Sequence, residues 1–73
     1  MAKLPVVSGA EAVKAFERAG WRVDRHRGSH VVMLKTSHIA SLSVPQHREL
    51  APGTLRSLIR AAGMTVEEFI AHC

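Results

Sequence analysis

The period of the apolar residues changes twice along this chain, and that change constrains the fold more than any other feature. Near one end Ala12, Val13, Phe16 and Ala19 recur at helical spacing and form an apolar stripe. Near the other, Leu55, Leu58, Ile59 and Ala62 form a second stripe. The stretch between them holds short runs of apolar residues, alternating in part with polar ones, broken by turn residues. A helical pattern does not settle into a strand, nor the reverse. The expected order is therefore helix, strands, helix, with both stripes buried against one face of a sheet.

Boundary signals sharpen this. Ser8-Gly9-Ala10-Glu11 fits a capping box, in which a hydroxyl and a carboxylate satisfy free N–H groups in the first turn. Gly20 suits the left-handed residue that ends a helix. Trp21 to Arg27 then predicts a strand, with Trp21 and Val23 on the core face. Gly28-Ser29 predicts a two-residue turn, and His30 to Lys35 the returning strand of a hairpin. Thr36-Ser37-His38 reads as a second turn and Ile39 to Val44 as a third strand, in which Leu42 and Val44 share a face. Pro45 should stop that strand's ladder. Gln46 to Ala51 reads as a connecting loop. Pro52 fits the first turn of the second helix, and Gly63 follows its end. Thr65-Val66-Glu67-Glu68 is a second capping box, opening a short last helix with Phe69 and Ile70.

The chain has 73 residues, which predicts a single domain over 1–73. A domain this short buries only roughly 60% of the surface its unfolded chain exposes, so one layer of core must suffice. No apolar run approaches the roughly 20 residues of a membrane span, and the N-terminal residues lack the apolar region of a secretory leader. A cytoplasmic protein is expected. One cysteine, Cys73, rules out an internal disulfide, and as the last residue it should be frayed. Ten Lys and Arg against six Asp and Glu give a net charge of +4, which favours polyanionic partners. Only Trp21, Phe16 and Phe69 are aromatic, too few for a base-stacking platform.

Five histidines, His26, His30, His38, His47 and His72, are candidates for chemistry. His26 and His30 flank the turn and lie on no common helix face. Without a cysteine pair or an HExxH spacing they do not predict a metal site, and no cofactor is expected. His38 and His72 read as solvated surface residues. His30 follows a turn that lets the backbone approach a ligand, opens a strand, and shares its hairpin with Arg22, Arg25, Arg27 and Lys35. That suits a phosphodiester. Ser29 could donate to a phosphate oxygen, although Gly28-Ser29 reads equally as a plain hairpin turn. The N–H groups at Gly53, Thr54 and Leu55 open a helix, where phosphate can be held. Arg56 and Arg60, one turn apart, form either a solvated helix face or a phosphate-tracking stripe. His47 is either a second ligand-facing histidine or a loop residue.

Four blocks, in order, carry a resemblance: Gly20-Trp21; Gly28-Ser29-His30; Val44-Pro45-Gln46-His47; and Pro52-Gly53-Thr54-Leu55-Arg56-Ser57-Leu58-Ile59. Ala62-Gly63-Met64-Thr65 and Glu67-Glu68-Phe69 continue it. From about Ser8 to Phe69 the chain resembles the HicA family of toxins, the mRNA interferases of bacterial and archaeal toxin–antitoxin pairs. The resemblance implies an α+β, double-stranded-RNA-binding-domain-like fold. Its order would be α-β-β-β-α, with two helices on one face of a three-stranded antiparallel sheet and a short C-terminal helix. It also implies ribosome-independent cleavage of mRNA, and a HicB-like antitoxin partner. The family's functional histidine follows Gly-Ser in the second strand, which assigns that role to His30. The chain departs from the family at Gln46, where an Arg or Lys is common. It departs again at Val31-Val32-Met33, where an aromatic or second polar group usually follows the histidine.

The expectation is a metal-independent endoribonuclease toxin that stops translation. His30 would be the acid or base, and Gly28, Ser29, Arg25, Arg27, Lys35, Thr54 and Arg56 would contact RNA. Contact with DNA is expected only through the antitoxin, since no helix-turn-helix pattern is present. RNA supplies its own nucleophile, the 2′-hydroxyl, and histidine's ordinary pKa of about 6.5 suits the proton step. The alternatives are a non-catalytic module that binds duplex RNA and a domain whose basic face only docks an acidic protein.

Overall fold

The computed structural model describes residues 2–73; Met1, the first residue of the segment read for a leader, lies outside them. The elements run α1 (Gly9–Arg18), β1 (Arg22–Arg27), β2 (His30–Leu34), β3 (Leu42–Pro45), α2 (Pro52–Ala61) and α3 (Val66–Ala71). The strands form one antiparallel sheet in the order β1-β2-β3. This is the predicted α+β layout.

Both predicted capping boxes form. The Ser8 hydroxyl accepts from the Glu11 N–H at 3.0 Å, and the Ser8 N–H donates to the Glu11 carboxylate at 2.8 Å. Thr65 and Glu68 repeat the arrangement at 3.1 and 2.8 Å. In each case the backbone N–H, then the hydroxyl, holds the glutamate's pKa below its ordinary value. Gly20, with φ 101°, turns the chain out of α1 as predicted.

Val31 and Met33 of β2 and Leu42 and Val44 of β3 point to the covered face of the sheet. There they join Ala12, Ala15 and Phe16 of α1, Leu55, Leu58 and Ile59 of α2, and Phe69 of α3 in one core. Phe16 and Phe69 are fully buried with ring centroids 5.1 Å apart, an aromatic pair worth about 0.5–1.5 kcal/mol beyond its buried area. At the other end of α1, a Cβ on Gly9 would collide with the Pro45 carbonyl oxygen. Only glycine lets the helix start this close to the end of β3. The Gly9 N–H also donates to the His47 carbonyl at 2.9 Å.

Several expectations are corrected. Val23 keeps its place on the covered face, opposite Met33, but stays 38% exposed there. The third strand starts at Leu42, and Ile39 projects fully into solvent from the β2–β3 loop. Pro45 closes β3 from within, opposite His30, and the next N–H, of Gln46, donates to the Ser29 carbonyl at 2.7 Å. His38 is not a solvated surface residue: its ring is half-buried and packs tilted against buried Trp21, centroids 5.1 Å apart. The C-terminus is tied as well, by the Arg18 guanidinium donating to the His72 carbonyl at 2.8 Å and the Cys73 N–H to Ile70. Partial burial pushes the Cys73 thiol pKa up. Among the described residues no helix is long and apolar enough to cross a membrane.

Candidate nucleic-acid site on the open sheet face

Side chains alternate across a sheet, so the partners of Val31 and Met33 face the helices and those of His30 and Val32 face away. Two facts fix the register of β1. The Gly28-Ser29 turn sets Arg27 opposite His30, and further along Val23 pairs with Met33. Positive φ at Gly28 alone (58°) is the sign pattern of a type II′ hairpin turn. Between these anchors β1 has Asp24, Arg25 and His26 where β2 has only Val31 and Val32. The extra residue is a β-bulge at Asp24, and it reverses the parity of the strand. Arg25 consequently pairs with Val32 and lies on the open face, although Val23, two residues earlier, lies on the other.

The open face therefore gathers Arg25 and Arg27 from β1, His30 and Val32 from β2, and Ser43 from β3, with Ser41 just before it. These six line one depression of about 300 Å³. Val32 is buried at its floor, yet stands apart from the helix-side core. His30 is half-buried and the two arginines are exposed. Asp24 lies 3.5 Å from the Arg25 guanidinium, a surface contact of small energetic worth. The depression thus presents one imidazole, two cations and two hydroxyls, a donor set suited to a phosphodiester.

The other predicted RNA contacts divide. Gly28 and Ser29 do not line the depression; they form the turn that aligns Arg27 with His30. Thr54 lies in a neighbouring groove with Gly53, Ser57, Leu58 and Ala61, joined to the depression through Ser43. Lys35 does not line the depression. Its Nζ donates to the Ala19 carbonyl at 3.0 Å, where a cation is favoured at the C-terminus of α1. Arg56 does not line it either; it lies on the opposite flank of α2 from Thr54 and Ser57, beside Arg60. Gln46 turns its amide onto the Val44 carbonyl at 3.0 Å. The His47 side chain is exposed in the loop, and it does not line the depression. Among the described residues no three His, Cys, Asp or Glu side chains are placed to hold a metal ion.

Ser41, Ser43 and Val32 were missed by sequence reasoning. The signal was present: if Leu42 and Val44 face the core, Ser41 and Ser43 must face away.

Comparison with known proteins agrees with this fold. Residues 9–64 match the family model described as the HicA toxin of bacterial toxin–antitoxin systems. A chain of a solved structure, a toxin–antitoxin complex from Streptococcus pneumoniae, is 30% identical with a TM-score of 0.71. The match covers 80% of this chain and 98% of that one. No curated protein matches the chain. With the fold, the order of motifs and the family match in agreement over most of its length, this chain belongs to the HicA family of bacterial toxins.

Proposed function

We propose that this toxin is an endoribonuclease that cleaves mRNA at the open sheet face, with His30 as its catalytic residue. One observation carries the reading: an accessible imidazole shares a single depression with two unburied guanidinium groups. RNA brings its nucleophile with it. The 2′-oxygen attacks the adjacent phosphorus, the bond to the 5′-oxygen breaks, and the products end in a 2′,3′-cyclic phosphate and a 5′-hydroxyl. His30 takes the proton from the 2′-hydroxyl or gives one to the departing 5′-oxygen. Such help supplies about 10² to 10⁴ in rate, which suits a slow interferase. Arg25 and Arg27 hold the phosphate oxygens and stabilise the charge that builds on them. Ser41 and Ser43 offer hydroxyl donors on the other side. Thr54, beyond Ser43, lies where the strand would continue.

The partner is an antitoxin, as in the complex from Streptococcus pneumoniae. We take it to be an acidic, HicB-like protein that covers His30 and makes any contact with DNA.

The test is a single substitution. His30→Ala should stay folded, leave RNA intact and no longer arrest growth. The wild-type protein should generate cyclic-phosphate ends in the presence of EDTA. Cleavage by His30→Ala at the wild-type rate would sink the proposal. A wild type that shifts duplex RNA on a gel without ever cutting it would make this a binding module.

A further inference from the structure

The helix α2 shows two unlike flanks to solvent. One carries Thr54 and Ser57 toward β3 and the proposed RNA path. The other carries Arg56 and Arg60, one turn apart, over a depression of about 260 Å³ with Ile59, Met64, Thr65 and Val66. Both arginines are exposed, and among the described residues neither guanidinium has a carboxylate within ion-pairing distance. Met64 and Val66 are only partly buried, so apolar surface remains between the cations and the core.

We infer that this flank is a docking surface for an acidic, partly apolar segment of the antitoxin, separate from the surface around His30. The composition of the depression favours protein over RNA. Beside its cations, a nucleic-acid groove offers hydroxyl and amide donors or aromatic faces. Here the floor is a thioether and branched aliphatics, with one hydroxyl, at Thr65. Arginine and methionine are the residues enriched at protein interfaces. Two guanidinium groups a turn apart meet two carboxylates a turn apart on a partner helix, while the apolar strip receives the residue between them. The net charge of +4 adds long-range attraction.

The inference rests on the antitoxin half of the proposed function and not on catalysis by His30. The experiment uses the full chain carrying His30→Ala, so that it can be produced safely, titrated with its cognate antitoxin at low and physiological salt. Adding Arg56→Glu and Arg60→Glu should weaken binding by about tenfold or more and flatten its salt dependence. The neutral pair Arg56→Gln and Arg60→Gln should fall between, and circular dichroism should show all of them folded. In the otherwise wild-type chain, Arg60→Glu should leave cleavage of a short single-stranded RNA unchanged. Unaltered antitoxin affinity in the charge-reversed pair would overturn the inference. So would lost RNA affinity in that pair, which would return the flank to the nucleic acid. Weakened antitoxin binding in a chain whose wild type never cuts RNA would support the docking surface and remove only the enzymatic reading.

Discussion

Arg27 and His30 are direct cross-strand partners, closed by the two-residue turn between them. The pairing puts a cation beside the imidazole on the open face, and it is set by backbone register. Arg27→Ala should therefore lower RNA cleavage without unfolding the chain. A charge-assisted hydrogen bond of about 1.5–3 kcal/mol corresponds to roughly a tenfold to hundredfold loss. Single-turnover cleavage of a defined RNA, beside a thermal melt, would measure it.

Lys35 should behave oppositely. Its ammonium caps the Ala19 carbonyl and touches nothing in the depression. Lys35→Met should cost about 0.5–1.5 kcal/mol of stability, the range for one such bond. A urea titration reads this directly, and a cleavage defect exceeding the loss of folded protein would contradict the placement.

Gly9→Ala should destabilise the fold far more than a surface substitution. The new methyl would meet the Pro45 carbonyl and the Gln46 backbone, so α1 must move off β3. Overpacking of this kind costs about 1–3 kcal/mol. A lower melting temperature, with poorer affinity for RNA only in proportion to unfolding, is the expected outcome.

Phe69→Ala should be the most damaging change in α3. The ring is fully buried against Phe16, and aromatic-to-alanine truncations in a core cost about 3–5 kcal/mol. That is a large share of a small domain's stability, so the variant should be partly unfolded at body temperature by circular dichroism.

Acid should loosen both capped helices. Glu11 and Glu68 have pKa values lowered on folding by the N–H groups of Ser8 and Thr65. A depressed folded value means that the stabilisation is complete above the unfolded carboxylate range. It is lost as pH falls through the lowered folded value. Denaturation midpoints measured from neutral pH down to about 3 should show this decline below the ordinary glutamate pKa of about 4.3. Glu11→Gln with Glu68→Gln should flatten that part of the curve.

The fold was legible because its signals are local. Capping boxes, the glycine after α1 and the two apolar stripes each depend on residues within a turn or two. The site was legible only in part. His30, Arg25 and Arg27 were found as neighbours on a hairpin, but their common face could not be read from alternation. Counting by twos from Trp21 and Val23 puts Arg25 and Arg27 toward the core. The bulge undoes that count, and nothing in Val-Asp-Arg announces it. Lys35 and Arg56 fall outside the depression for a different reason: charge marks a residue as cationic but not which way it points. His38 was hidden because its partner, Trp21, lies 17 positions away in the chain.

The bulge also makes β1 unequally tolerant of change. A point substitution there exchanges one side chain for another. Losing a single residue between Asp24 and the turn, such as His26, would let the ladder run evenly. Arg25 would rotate under the helices and Asp24 would take its place opposite Val32, setting an anion in the depression. One residue of extra length decides the sign of the charge that stands opposite Val32.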